Sequence, residues 1–394
     1  MHLQLKGWHR VGAKTTSPRT HTGILNHHPP WRIAHSEASL GWGGQERRIL
    51  TELTGFQQRR SKVTALTPAH SKLTGRAREA GIPVYPINVH RLRLPFEIIR
   101  LSRWLRRNKI QVLNTHSSRD GYLLGLAGRL AGTPLLMRSR HIDVDYPNPW
   151  VSKHAFTTFA DHVLTTSHKI TTHLRSTFHL SPENITTLPT GIDLAAFTPH
   201  GNRTPLGSSK TGPCVGMVSV LRSWKGHLVF IEAARLLRER GISSQFAVVG
   251  GGPQQTNIKR LIGESGLAGQ VVLTGHREDI PAVLRALDVL VIPSTGHEGI
   301  PQIGLQAMAC GTPVVGSDAG GIPEIVRDGE TGRIVAAGDA EQLANAIAEA
   351  LTNKKATQRM ADCGREMVKR KHGIERMLDV LEQIYANHLT NDDA

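Results

Sequence analysis

Residues 288–326 read DVLVIPSTGHEGIPQIGLQAMACGTPVVGSDAGGIPEIV. An apolar run ends in a Gly-containing turn that carries an acid, Glu298. The spacing then predicts a small-residue helix over 303–310, a second apolar run at 313–316 and a second turn at Gly320 and Gly321. Strands buried on both faces read as unbroken apolar runs, and a helix joining two of them makes them parallel. A chain with this order is confined to an open parallel sheet covered by helices. In such sheets ligands bind outside the carboxyl ends of the strands. A helix start with free N–H groups favours phosphate there. The segment therefore predicts one wall of a cleft for a phosphorylated, hydroxyl-rich ligand.

The same alternation runs through most of the 394 residues, enough for two α/β domains with separate cores. The first is expected over 31–197, opening with a strand at 31–35 and the loop EASLGWGGQER. Residues 198–213, TPHGNRTPLGSSKTGP, have linker composition. A second domain follows over 214–375, and a helical pattern continues beyond 340 almost to the end. Residues 1–30 lack the apolar core of a secretion signal and are expected to be a poorly ordered extension. No apolar run reaches the roughly eighteen residues that a membrane-spanning helix needs. Cys214, Cys310 and Cys363 are too widely spaced for a metal or disulfide pattern, which suits a reducing cytoplasm.

Charge is unevenly spread. The net charge is +16, yet residues 1–140 carry 24 Lys and Arg against 6 Asp and Glu, and the remainder 24 against 26. A basic block of this kind attracts anionic surfaces: lipid headgroups, lipid-linked phosphates or nucleic acid. Aromatic content of 5% with no stacking platform argues against nucleic acid as a partner. In LPFEIIRLSRWLRRNK (94–109), Phe96, Ile99 and Trp104 mark an apolar side and Arg100, Arg103, Arg106 and Arg107 the other. Such a helix can lie in a membrane interface, but more commonly packs its apolar side on its own sheet.

Several residues are placed to bind a ligand. Arg222 and Lys225 follow a strand, and Gly226 opens the next helix; cations there suit a pyrophosphate that gathers charge as it leaves. Gly250, Gly251 and Gly252 follow FAVV without matching a dinucleotide fingerprint, so close backbone approach and a plain tight turn both remain open. Glu298 can accept from two adjacent sugar hydroxyls or complement a helix start. Gln306, eight residues on, can hold ribose hydroxyls. His141 stands at a strand's carboxyl edge beside Arg140, with His116 in the comparable place one strand earlier. A histidine there can bond a sugar hydroxyl or shuttle a proton. Gly43 and Gly44 precede a helix start whose N–H groups could meet phosphate.

Together these pieces resemble the retaining sugar transferases of glycosyltransferase family 4. The resemblance is most specific in EG…MACGTPVVGSDAGGIPEIV, and is carried also by GGQER, LPTGID, Lys225–Gly226 and VVGGGP. It implies the GT-B fold, two Rossmann-like domains facing across a cleft, with a final helix (376–394) crossing back to the first. It implies a nucleotide-diphosphate sugar held mainly by the second domain, an acceptor held mainly by the first, and no cofactor or metal. Lys225 would contact the diphosphate and Glu298 the sugar hydroxyls. Gly299 and Ile300 would present N–H groups, His141 would lie close to the sugar, and Gly44 near phosphate and acceptor. Three positions depart from the family pattern: Gln306 replaces a second acid, Pro301 a glycine, and Val220 an arginine for which Arg222 is a substitute. The function implied is a cytoplasmic, membrane-peripheral retaining enzyme transferring sugar to a lipid-linked glycan of cell-surface polysaccharide or lipopolysaccharide. An inactive sugar-nucleotide-binding partner protein is the first alternative, and a basic nucleic-acid-binding α/β protein, prompted by the charge excess, the second.

Overall fold

The computed structural model describes residues 30–90, 93–146, 148–206 and 212–390. The extension expected over 1–30 lies almost wholly outside them. The first sheet comprises β1 (Arg32–Ser36), β2 (Lys62–Thr67), β3 (Val84–Pro86), β4 (Val112–Thr115), β5 (Leu135–Arg140), β6 (His162–Thr165) and β7 (Ile185–Thr187). Its order is β3-β2-β1-β4-β5-β6-β7, every pair parallel. The second sheet comprises β8 (Cys214–Val218), β9 (Gln245–Val249), β10 (Val271–Gly275), β11 (Val289–Ile292), β12 (Val314–Ser317) and β13 (Arg333–Val335), in the order β10-β9-β8-β11-β12-β13. Both are Rossmann-like, and together they form the GT-B arrangement. The strand order reverses at β1/β4 in one lobe and at β8/β11 in the other, so crevices open at those carboxyl ends.

Helices cover the sheets because their apolar stripes find the strands. In the first lobe these are α1 (Gly44–Gln58), α2 (Lys72–Glu79), α3 (Leu94–Arg107), α4 (Ser118–Ala131), α5 (Pro149–Phe156) and α6 (His168–Phe178). In the second they are α7 (His227–Glu239), α8 (Gln255–Glu264), α9 (Ile280–Ala286), α10 (Gln302–Ala309), α11 (Ala340–Thr352) and α12 (Lys354–Lys371). The last helix, α13 (Ile374–Leu389), places Met377, Leu378, Leu381 and Tyr385 in one core with Ile49, Leu53 and Phe56 of α1. The chain thus crosses between lobes twice, and the crossings run side by side: Ile192 N–H donates to the His372 carbonyl at 2.7 Å.

Two sequence expectations change here. Residues 198–206 of the expected linker are fixed to the second lobe. The Arg285 guanidinium donates to the carbonyls of Thr198 and Asn202, and Thr204 bonds Asp279 at 2.6 Å. The span between lobes is therefore the chain before it, around Ile192. In α3 the core-facing residues are Leu101 and Leu105, whereas Phe96 (79% exposed) and Ile99 (47%) face outward on the stripe that carries exposed Arg103 and Arg107. The expected apolar side therefore does not pack as one: Phe96 and Ile99 lie seven and four residues before Arg103, in helical register with it on the solvent face.

Candidate active site

The second lobe contributes two turns at its switch point. After β8 the chain makes a single 3-10 turn, Ser223–Lys225, which ends at Gly226 with φ +76°. A side chain at Gly226 would run into the carbonyl of Pro293, so only glycine lets this turn close onto the end of β11. Thr295 N–H donates to the Trp224 carbonyl at 2.8 Å and joins the two turns. Lys225 Nζ then meets Glu298 Oε1 at 2.5 Å, and Ser294 Oγ donates to the same oxygen at 2.7 Å. Ser294 is itself fixed by Ser317, whose hydroxyl donates to its carbonyl at 2.5 Å. Glu298 is only 5% exposed. Its charge is tolerated there because a cation and a hydroxyl are already in place.

Arg222 is exposed, its guanidinium 5.2 Å from the Trp224 ring centroid, and among the described residues it pairs with no carboxylate. No acceptor among the described residues takes the N–H of Gly299 or Ile300, just before α10. Lys225, Arg222 and these N–H groups form a positive wall beside one carboxylate.

The first lobe closes against this wall. A Cβ at Gly299 would lie 2.7 Å from the His141 carbonyl, so that turn touches the end of β5 directly. The Gln302 amide donates across the cleft to the Gly44 carbonyl at 2.8 Å and to Thr190 at 3.2 Å. Glu324 accepts from the N–H groups of His168 (2.8 Å) and Lys169 (3.1 Å), capping α6 from the opposite lobe. His297, held at φ +56°, bonds the Asp143 carbonyl at 3.0 Å.

Behind His141 lies a string of rings. His35 Nδ1 and His116 Nε2 are 3.1 Å apart, and His116 Nδ1 and His141 Nε2 2.9 Å apart. The rings stack, with centroids 5.2 Å apart at both steps. At the inner end, Glu52 Oε2 lies 3.5 Å from His35 Nδ1, while Glu52 Oε1 accepts from Arg48 at 2.6 Å. Burial pushes His35 down to about 4, and burial together with neighbouring cationic groups holds His116 and His141 well below the usual histidine range. All three rings are neutral at neutral pH. On the β1 edge, burial and the nearby Asp120 raise Glu37 to about 7.

Several sequence assignments need correcting. His116 does not line the cleft: it is 2% exposed, with both ring nitrogens engaged by other histidines. Gly43 has no free N–H, since it donates to Glu46 Oε2 at 2.8 Å within the α1 cap. Gly250 donates to the Gly275 carbonyl at 2.8 Å, and a side chain there would strike Ser219, so packing rather than ligand approach requires it. A Cβ at Gly251 meets nothing nearer than His276 at 3.9 Å, which leaves room for a ligand. Gln306 is half-buried on α10. Sequence reasoning missed Ser294, Gln302 and Glu324, which matter through contacts distant in sequence. It also missed His35, although the strand-edge argument used for His116 and His141 applies equally to it.

His35, Glu52 and His116 offer three potential metal-ligand atoms within 4.8 Å of one another. Arg48 already neutralises Glu52, so a dication there would leave excess buried charge.

Two family models match the chain: Glycosyltransferase Family 4 over residues 42–196, and Glycosyl transferases group 1 over residues 201–367. The chain is 25% identical over 391 positions to UDP-Gal:alpha-D-GlcNAc-diphosphoundecaprenol alpha-1,3-galactosyltransferase of Escherichia coli, covering 92% of this chain and 99% of that one. Its fold is similar to a glycosyltransferase from Rickettsia africae (TM-score 0.83, 20% identity, 92% and 100% of the two chains). It is also similar to HepE of Anabaena, solved with UDP and glucose (TM-score 0.79, 20% identity, 90% and 99%).

Proposed function

Because the chain belongs to the group 1 and family 4 glycosyltransferases, we propose that it moves a sugar, with retention, from a nucleotide-diphosphate donor to a hydroxyl of a lipid-linked glycan. The observation that carries this reading is the 2.5 Å pair of Lys225 and Glu298 at the second lobe's switch point, facing His141. In the free protein each charge offsets the other. When the donor enters, its diphosphate takes over the ammonium, and the carboxylate accepts from the sugar hydroxyls. Arg222 and the N–H groups of Gly299 and Ile300 add donors where charge builds as the diphosphate leaves. The anomeric C–O bond to the diphosphate breaks and the acceptor oxygen bonds the same carbon on the same face. The acceptor proton passes to the departing phosphate oxygen, so no protein nucleophile is needed.

Lys225→Ala should lower the transfer rate by about a hundredfold to a thousandfold, the usual size for loss of a group that stabilises departing charge. It is measured as nucleotide release from UDP-, GDP- and ADP-sugars with a polyprenyl-diphosphate glycan acceptor. An unchanged rate removes the role given to Lys225. No release from any donor by the native protein, with donor binding intact, favours the inactive binding partner that Gln306 brings to mind.

The acceptor class is supported by α3, where exposed Phe96 and Ile99 share a stripe with Arg103 and Arg107. Apolar side chains ringed by arginine suit an anionic lipid surface, and the E. coli relative is named for a diphosphoundecaprenol acceptor. No helix among the described residues is long and apolar enough to cross a membrane. Flotation with anionic vesicles should recover the protein at low salt and lose it as salt rises. Salt-independent absence from the vesicles points to a soluble acceptor.

A further inference from the structure

The string Glu52–His35–His116–His141 has no part in the transfer chemistry described above, and its inner end is a buried carboxylate oxygen with no hydrogen-bond partner. Neutral imidazoles carry one N–H each. A string of three must therefore be polarised in one of two senses. In the outward sense, His35 Nδ1–H donates to His116 Nε2, His116 Nδ1–H donates to His141 Nε2, and His141 keeps its proton on Nδ1. In the inward sense every proton moves to the other nitrogen, and His141 Nδ1 becomes a lone pair.

The surroundings of His35 choose between them. In the inward sense the Nδ1 lone pair of His35 would face Glu52 Oε2 at 3.5 Å, and its Nε2–H would be a buried donor with no partner. An orphaned buried N–H is the rarer and costlier defect. In the outward sense the His35 Nδ1–H lies between His116 Nε2 and the carboxylate, and only a lone pair goes unpaired. At the far end, His141 is half-buried beside Gly299, and its Nδ1 meets no partner among the described residues.

We propose that Glu52, His35 and His116 are positioning residues that fix the tautomer of His141, so that it presents an N–H donor, and never a lone pair, at the cleft. His141 therefore binds an oxygen of the donor, a sugar hydroxyl or phosphoryl oxygen, and does not take the acceptor's proton. That consequence rests on the glycosyltransferase reading, whereas the tautomer itself does not.

Long-range ¹H–¹⁵N correlation spectra of the full-length, ¹⁵N-histidine-labelled protein read the tautomer without any substrate, with H141Q assigning the signal. The native protein should show His141 protonated on Nδ1. Glu52→Gln, whose amide can donate to His35 Nδ1, should move the His141 proton to Nε2. It should also lower kcat/KM for the donor about tenfold to a hundredfold, since a donor-binding N–H is replaced by a lone pair. A native His141 protonated on Nε2 overturns the proposal. So does an unchanged His141 tautomer in folded Glu52→Gln, with folding checked by its thermal transition. Stoichiometric zinc in the native protein overturns it too, since His35 Nδ1 and His116 Nε2 would then both give lone pairs to the ion. Correct tautomers in a protein that transfers no sugar would refute the function and leave the string intact.

Discussion

The two lobes share a topology but use charge in opposite ways. Among the described residues the second lobe buries Glu298 and His227 as its charged and imidazole groups. The first buries Glu37, Glu46, Arg48, Glu52, Glu97, Asp120, Arg138 and Arg140, with His35, His116 and His162 among them. In the second lobe the buried acid pairs with a half-exposed lysine at the cleft, in position to exchange that partner for a ligand. In the first, the charges hold one another and the fold. Arg48 holds Glu52, Arg138 donates to the Ser117 carbonyl, and Arg59 pairs with Glu375, Asp379 and Glu382 of α13. Part of the N-terminal basic excess is therefore interior and interlobe structure rather than an anion-attracting surface.

The largest test of this contrast is stability. Arg48→Met should cost about 3–5 kcal/mol, because it leaves Glu52 as an unpaired buried charge. Arg48→Met combined with Glu52→Leu should recover much of that, since two apolar groups replace the pair. In the second lobe, Arg260 and Glu264 pair at 2.6 Å with side chains more than half exposed. Glu264→Ala there should cost no more than about 0.5 kcal/mol. Chemical denaturation measures all three. Equal costs for the two single variants would break the contrast.

The same division explains what could be read in the sequence. The second lobe's site is nearly contiguous. Ser294 to Ile300 lie in one turn, and Lys225 sits at a recognisable strand end, so local pattern reaches both. The Lys225–Glu298 meeting is a consequence of β8 and β11 being neighbours, which the strand order supplies. The first lobe's string joins residues 35, 52, 116 and 141, which come together only through the β1/β4/β5 pairing and the seat of α1. No local pattern distinguishes His116, which points inward, from His141, which reaches the cleft; only their relative depth does. Likewise, the capping of Gly43 by Glu46 and the packing need at Gly250 are hydrogen-bond facts that composition does not carry.

A smaller effect concerns pH. Burial lowers His35 and His162 to about 4, and holds His116 well below the usual range. The unfolded chain, with histidine near 6.5, then binds more protons than the folded one between those values, so these groups make stability fall as pH drops from 6.5 toward 4. Between pH 7 and 6 each contributes less than about 1 kcal/mol. Glu37 acts in the opposite direction: raised from 4.5 to about 7, it makes the folded state lose stability as pH rises through that range. The second lobe offers His227, also lowered to about 4. His227→Asn should therefore leave most of the slope of Tm between pH 7 and 5 in place. Glu37→Gln should steepen it, because the opposing group is gone. A His227→Asn protein whose Tm no longer depends on pH would place the acid-sensitive interior in the wrong lobe.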